Sequence, residues 1–392
     1  MLDEKKFYKL RSKPEDFIVE ELLSLPENRK GRFALYLLEK RNLDTREALK
    51  IISKVAGVPY REISYAGLKD KHALTRQHIT VPRKYRLSLK EPNLGLSFLY
   101  YTHRRLRLGA HLGNRFTITL RKMSTATLER LKLNVGYNFP VPNYYDSQRF
   151  GSLKGSGEFL AARIIAGDHE GALKLLLTSY YRKEKSYVKR IKKFLKEHWR
   201  EWRACREFLE KERRYEGFLE AVRYLEDNPG SYRAALRLVD SHLLKLAFSA
   251  FQSYLWNEAL KAVLREHLGE KRLYGVKYAA GELLFIKKGE YEPYQSFFRE
   301  YGDKELELPH HKNTNREKSV YEDILSRLGI KLRELKRLNR LVSLTRGKRR
   351  MFFTAEKLRM TSWRDGETMA ARLSFELPPG CYATVLLKNL LE

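Results

Sequence analysis

Residues 15–22 read EDFIVEEL, which places Phe17 and Val19 on one side of an extended segment. Such period-two alternation predicts a half-buried strand. FALYLLE, residues 33–39, reads as a second strand. A helix follows, in which Asp44 caps the first turn with Glu47 as its reciprocal partner. Ala48, Ile51, Ile52 and Val55 form its buried stripe, and Gly57 marks its end. Ile63 and Tyr65 alternate with polar residues, Gly67 breaks the run, and HITV (78–81) resumes it. In RFTITLRK (115–122), Phe116, Ile118 and Leu120 share one face, while Arg115, Thr117, Thr119 and Arg121 share the other.

After VPNYYDSQRFGSLKGSG the pattern turns helical, through residues 158–267, and GSLKGSGEF reads as a flexible boundary. Ile191, Phe194, Leu195, Trp202, Phe208 and Leu209 recur at helical spacing. Residues 331–350 repeat the amphipathic theme, with Leu332, Leu335, Leu338 and Leu341 as an apolar edge. MFFTAE, ARLSFEL and YATVLL close the chain with strand-like signals. The expectation is an α+β fold: a mixed, mainly antiparallel sheet domain interrupted by a helix-rich basic insertion.

Composition adds a statement about partners. The chain has 392 residues, enough for two domains, with 43% apolar residues and a net charge of +30. A charge of that size calls for polyanions, and an aromatic-rich basic chain suits nucleic acid. A membrane surface is the weaker alternative, because no basic helix has a broad apolar face without competing core duties. From Arg182 to Arg214 there are 14 Lys/Arg against 6 Asp/Glu, which a solvated helix face explains as well as RNA contact does. TRGKRR (345–350), with four cations in six residues, is the better phosphate contact. Cys205 and Cys381 are far apart, which excludes a disulfide framework and suits a reducing cytoplasm. MLDEKKFYKL has no apolar signal region, and no apolar run approaches membrane-spanning length.

The chemistry concentrates in YAGLKDKHALTRQHITV (65–81), where Asp70 lies between Lys69 and Lys71, with His72, Arg76 and His78 behind. The flanking strand signals put Asp70 on a loop carried by a sheet, a usual place for reactive groups. The phosphate-binding P-loop, zinc-protease H-E-x-x-H and paired hard-cation carboxylate patterns are missing, and His310-His311 reads as an exposed loop. Cofactor-free chemistry on a polyanion, or binding alone, remains. Cations within about 4–6 Å lower an aspartate pKa by roughly 1–3 units. Such an anion serves as a nucleophile at a sugar carbon or as a base. A structural salt bridge or turn cap is the plain alternative.

GLKDKHALTRQ resembles the catalytic motif of the TruD family of tRNA pseudouridine synthases. The resemblance extends through PEDFIVEE (14–21), RLGAHLGNRF (107–116), VPNYYDSQRFG (141–151), QSYLWNEAL (252–260) and LPPGCYATVLL (377–387), in family order. It implies a discontinuous pseudouridine synthase catalytic domain at 1–150 and 345–392, interrupted by a TRUD-type domain at 151–344. It implies isomerisation of uridine 13 of tRNA without cofactor or metal, with Asp70 catalytic. It also implies substrate-binding roles for Arg11, Lys69, Asn114, Phe116, Gln148, Arg149 and Tyr382. Phe116 and Tyr382 are read either as base-stacking groups or as core residues, and Gln148 and Arg149 either as site organisers or as loop-shaping residues. The expected partner is tRNA, with other structured RNA as a further candidate and no membrane or obligatory protein partner. Arg11 stands where the family has lysine, with Lys9 and Lys13 nearby; Trp256 replaces a phenylalanine, Cys381 replaces a serine, and a family glycine is missing near LPHHKN. An RNA-binding protein that kept the fold without the chemistry is the alternative function.

Overall fold

In the computed structural model, residues 8–137, 139–153, 156–180, 184–212, 216–289 and 292–392 are described. Lys154 and Gly155 of the glycine-rich boundary, and Arg182, Lys183, Arg213 and Arg214 of the basic run, lie outside these residues. The chain divides into two compact units. One comprises Met1–Val141, Lys288–Tyr291 and Phe353–Glu392; the other comprises Pro142–Lys287 and Glu292–Phe352.

The first unit is built on a ten-stranded sheet. Its first eight strands are β1 (Lys9–Leu10), β2 (Phe17–Leu22), β3 (Phe33–Arg41), β4 (Ser64–Tyr65), β5 (Leu74–Pro82), β6 (Lys90–Glu91), β7 (Leu94–Thr102) and β8 (Gly113–Met123). The C-terminal hairpin, Glu356–Asp365 and Thr368–Leu377, completes it beside β8. β2 runs parallel to β5, and the other pairs are antiparallel. The alternation seen in the sequence maps onto this sheet: Phe17 and Val19 of β2 are buried, as are Phe116, Ile118 and Leu120 of β8.

Helix α1 (Thr45–Ala56) lays Ala48, Leu49 and Ile52 on Tyr36, Leu38, Ile79 and Val81 of the sheet. Asp44 caps it by accepting the Arg46 and Glu47 N–H groups, and Gly57 ends it at φ 64°. The expected stripe is corrected at its end, because Val55 is 57% exposed. Glu47 forms an ion pair with Lys71 at 3.6 Å. YATVLL is also corrected. Ala383–Leu391 is a helix that packs on α2 (Thr125–Tyr137), with Asn134 Nδ2 donating to Leu390 O at 2.9 Å. A short apolar run has too little periodicity to separate strand from helix, and contact with α2 decides it.

In the second unit, helices Leu160–Ala166, His169–Thr178, Ser186–Glu197, Trp202–Lys211, Glu216–Asp227 and Tyr232–Leu238 precede a long central helix, Ser241–Leu268. The long helix buries residues around its circumference, including Phe248, Phe251, Leu255 and Trp256, because neighbours surround it. Residues Leu332–Arg340 form a 3₁₀ helix. Its leucines recur every third residue, a period that eclipses side chains on a three-residue turn, so Leu332, Leu335 and Leu338 form one buried edge. The TRGKRR stretch is partly neutralised internally: Lys348–Arg350 is a strand paired antiparallel to Glu305–Glu307. The His310-His311 expectation is corrected as well. His310 is buried against the His311 ring, and burial, with smaller electrostatic effects of His311, Arg346 and Lys312, lowers its pKa to about 4. Both cysteines are free thiols. Among the described residues, no helix is long and apolar enough to cross a membrane.

Candidate active site

Asp70 lies on the loop between β4 and β5, and the rest of the sheet holds that loop by its backbone. Lys40, fully buried on β3, donates from Nζ to Leu43 O at 2.9 Å, Asp70 O at 2.9 Å and Lys69 O at 3.4 Å. Three carbonyls thus match the three protons of one ammonium. The first helical residue of α1 adds a second tie: Thr45 Oγ1 accepts the Lys69 N–H at 3.1 Å and donates to Gln77 Oε1 at 3.0 Å. Gln77 Nε2 in turn reaches Gly67 O at 3.4 Å. Burial, the largest influence, and the charge of Lys69 lower the Lys40 pKa to about 8, against the pull of Asp44 and Asp70.

The side chain of Asp70 is 21% exposed, and its Oδ2 accepts from Arg11 Nη2 at 2.8 Å. The PEDF stretch explains how Arg11 gets there. β1 pairs with Leu120 and Arg121 of β8, and the chain then turns at Arg11 with φ 60°, a left-handed conformation that is strained for a non-glycine residue. Pro14–Asp16 forms a 3₁₀ turn in which Asp16, 1% exposed, accepts the Lys13 N–H and the Arg121 guanidinium. Phe17 follows, and the Arg11 guanidinium lies over its ring at 4.1 Å. Of the three cations around PEDF, Arg11 is the one paired with Asp70 in the structure. Its Nε is buried with no hydrogen-bond partner among the described residues.

The other cations of the stretch bind carboxylates. Lys69 Nζ is buried on Glu21 Oε2 at 2.7 Å, and Arg76 bonds to Glu20 and Glu39. Glu21 also accepts the His78 backbone N–H at 3.0 Å. Burial alone would raise the Glu21 pKa, but the bonds from His78 and Lys69 outweigh it and hold the carboxyl below its ordinary value. Lys69 therefore anchors the loop to β2, although it was expected among substrate-binding groups. Burial, and then the Lys69 charge, also lower the pKa of His111.

Asn114 on β8 stands directly across from Glu21 on β2, and its Oδ1 is buried without a partner among the described residues. Phe116, 7% exposed, packs edge-on to Phe17 (6.3 Å between ring centres) and stacks on Phe375 (5.5 Å). Gly113 precedes them because the LPPG segment crosses there: a Cβ at this position would stand 2.5 Å from Leu377 O. Tyr382 is half-buried at the N-cap of helix Ala383–Leu391. Arg11, Lys69, Asp70, Asn114, Phe116 and Tyr382 all belong to the first unit.

Gln148 and Arg149 belong to the second unit. Gln148 is exposed, whereas Arg149 Nε donates to Ser253 Oγ at 3.1 Å. This contact joins the VPNYYDSQRFG and QSYLWNEAL stretches, which Asn257 also ties through the N–H and C=O of Tyr145, both at 2.9 Å. Arg349 donates to Asn143 O at 2.8 Å and lies over the Tyr145 ring at 4.1 Å, so the middle of TRGKRR is structural.

Sequence reasoning missed Lys40, Thr45, Glu21 and Gln77. The signal was present for three of them. Lys40 shares strand parity with Tyr36 and Leu38, Glu21 with Phe17 and Val19, and Gln77 with Ile79 and Val81. A polar residue in phase with a buried apolar row is a buried polar residue, and burial demands partners.

Comparison with known proteins supplies independent findings. Residues 4–390 match the family described as tRNA pseudouridine synthase D (TruD). The chain is 37% identical to "Probable tRNA pseudouridine synthase D 2" of Methanocaldococcus jannaschii, covering 98% of this chain and 91% of that one. It is 31% identical to "tRNA pseudouridine synthase D" of Aquifex aeolicus, covering 97% of each. A crystal structure from Methanosarcina mazei that carries the TruD name superposes with a TM-score of 0.71 at 23% identity, over 98% of this chain and 93% of the other.

Proposed function

The chain belongs to the tRNA pseudouridine synthase D family, and from that membership we propose that Asp70 is the catalytic carboxylate and uridine 13 of tRNA the residue converted. The protein is an isomerase that acts on tRNA. The reaction breaks the N1–C1′ bond of uridine, turns the uracil, and forms a C5–C1′ bond; C5 gives up a proton and N1 carries one in the product. No electrons enter or leave, so the chemistry needs no redox cofactor, and a carboxylate acting at the ribose or the ring suffices.

The observation that carries the reading is the contrast within residue 70. Its backbone carbonyl is clamped by buried Lys40, while its carboxylate stays partly exposed beside Arg11. Rigid support under an accessible reactive group is the arrangement that preorganised catalysis requires. The buried Asn114 Oδ1, without a partner among the described residues, supports a polar contact to the target, since uracil N3–H is a donor of the kind it would accept. Phe116, with both neighbours aromatic, serves as a wall more than as an open stacking platform. The first unit is the pseudouridine synthase catalytic domain, and the second is the inserted TRUD-type domain. A uridine inside a folded tRNA must be extruded to meet Asp70, at a cost of a few kcal/mol that contacts to the rest of the tRNA offset.

The test is Asp70→Asn with tRNA tritiated at uridine C5. Tritium release is expected to fall by about 10⁴-fold or to background, with tRNA affinity retained. Turnover at the wild-type rate overturns the assignment. Mapping of pseudouridine in the product tRNA is expected to show position 13, and a product elsewhere overturns that part.

A further inference from the structure

Much of the basic run of the second unit is already paired. In the basic run, Arg190 pairs with Glu212, Lys192 with Glu184 at 3.2 Å, Arg203 with Glu207 at 3.2 Å, and Arg206 with Glu226 at 2.6 Å. Arg223 binds Glu210 at 3.0 Å, and Arg200 binds Glu170 at 2.9 Å. The long positive stretch that dominates the sequence is therefore, in large part, a neutralised helix surface.

One place differs. The end of helix Leu160–Ala166, the start of His169–Thr178, helix Tyr232–Leu238 and the 3₁₀ helix Leu332–Arg340 enclose a cavity of about 300 Å³. Arg233, Arg237, Arg337 and Arg340 line it together with His169, and among the described residues no carboxylate does. Local geometry makes this convergence. Arg233 and Arg237 are four residues apart on an α-helix and share a face. Arg337 and Arg340 are three apart on a 3₁₀ helix and share an edge, one of the two edges not occupied by Leu332, Leu335 and Leu338. Among the described residues, Arg233, Arg237 and Arg340 have no ion-pair partner. Arg337 is held in place by Glu334 at 3.0 Å and by the carbonyl of Ile165.

Arg233 and Arg237 also line a second, adjoining concavity of about 620 Å³. The acids bordering it are engaged elsewhere. Asp168 caps Gly171 N and binds Arg163, while Glu170 bonds to Arg200 and Trp199, which lower its pKa to about 2. Burial, with the nearby charges of Arg233 and Arg337, lowers the pKa of His169. Unmatched guanidinium groups gathered in one concavity repel each other unless an anion joins them. Their planar forks suit phosphate oxygens.

We propose that this arginine-lined cleft is a phosphodiester-binding site that grips the tRNA backbone. The inference rests on the reading of tRNA as substrate, and names the surface of the second unit that holds it. Backbone contacts of this kind fix register and orientation without reading bases.

The test uses the full chain and transcribed tRNA. Wild-type turnover, measured first, establishes or removes the substrate reading by itself. Arg237→Ala and Arg340→Ala, both at exposed positions, are each expected to raise the tRNA dissociation constant about tenfold. Each is also expected to reduce the slope of log K against log salt by about 0.7–0.9. Arg203→Ala, an exposed cation paired with Glu207, is the control and leaves both unchanged. Circular dichroism checks the fold, and Arg237→Lys, which keeps the charge, is expected to recover part of the affinity. Unchanged affinity and salt slope in both alanine variants overturn the proposal while wild-type turnover stands. Inorganic phosphate that stabilises the wild type but not Arg237→Ala, with tRNA affinity unaltered, assigns the cleft to a small anion and also overturns it.

Discussion

Lys40→Met separates holding the loop from holding the fold. In the native protein the Lys40 ammonium satisfies the carbonyls of Asp70 and Leu43 at 2.9 Å each, with Lys69 O at 3.4 Å. Methionine fills a similar volume but donates nothing. The two close carbonyls lose their partner at about 1–3 kcal/mol each. Opposing this, the variant no longer buries a charge. A pKa moved from 10.5 to about 8 corresponds to roughly 3 kcal/mol against the charged form in the folded state. The two effects nearly cancel at neutral pH, so the variant is expected to melt within about 3 kcal/mol of wild type. The loop, freed from its clamp, carries Asp70 out of position, and a displacement of about 1 Å costs roughly 10²-fold in rate.

The pH dependence has a definite sign. Below pH 8 Lys40 is protonated in both folded and unfolded chains, and the full burial penalty applies. Between about 8 and 10.5 the unfolded chain binds the extra proton, so wild-type stability rises with pH relative to the variant. Single-turnover tritium release and urea unfolding from pH 7 to 10.5 measure both effects. A Lys40→Met enzyme with the wild-type single-turnover rate refutes the clamp, and a stability difference that is flat with pH refutes the buried charge.

Two further substitutions probe neighbouring contacts. Glu21→Gln breaks a buried ion pair with Lys69 and is expected to lower unfolding free energy by about 3–5 kcal/mol in urea melts. Because the Glu21 pKa lies below its ordinary 4.5, its stabilisation is present above that pH and is lost as pH falls through the folded value; the Gln variant lacks this acid-dependent loss. Arg11→Ala removes the 2.8 Å pair to Asp70 and the stacking on Phe17, and kcat/KM is expected to fall about 10- to 100-fold, with partial recovery in Arg11→Lys. An alanine variant with undiminished kcat/KM shows that the pair is not used in turnover.

β2 and β8 were legible because their apolar residues alternate and are buried on one side, Phe17 and Val19 in one and Phe116, Ile118 and Leu120 in the other, whereas β3, which buries Ala34, Leu35 and Tyr36 in succession, shows only as an apolar run. The Asp44 cap and Gly57 terminus of α1 were legible for the same local reason. Val55 was misplaced because helical phase shows a stripe but not where the neighbouring surface ends. The insertion borders were expected at 150/151 and 344/345, and the compact units divide at 141/142 and 352/353. YATVLL carries no phase long enough to choose a helix over a strand, and its register against α2 comes from residues 240 positions away or more.

Local chemistry in the chain determined the strand phases, the helix caps, the excess of positive charge and the loop on which Asp70 sits. Folding alone decided which charges remain available. Lys69, Arg76 and, in the basic run, Arg190, Lys192, Arg200 and Arg206 meet carboxylates brought in by other segments, while Arg11 meets Asp70 and the arginines of two distant helices line one cleft. Backbone conformation depends on near neighbours, so a sequence displays it. The Coulomb energy of a side chain depends on whatever lies within a few ångströms, and only the tertiary path sets those neighbours.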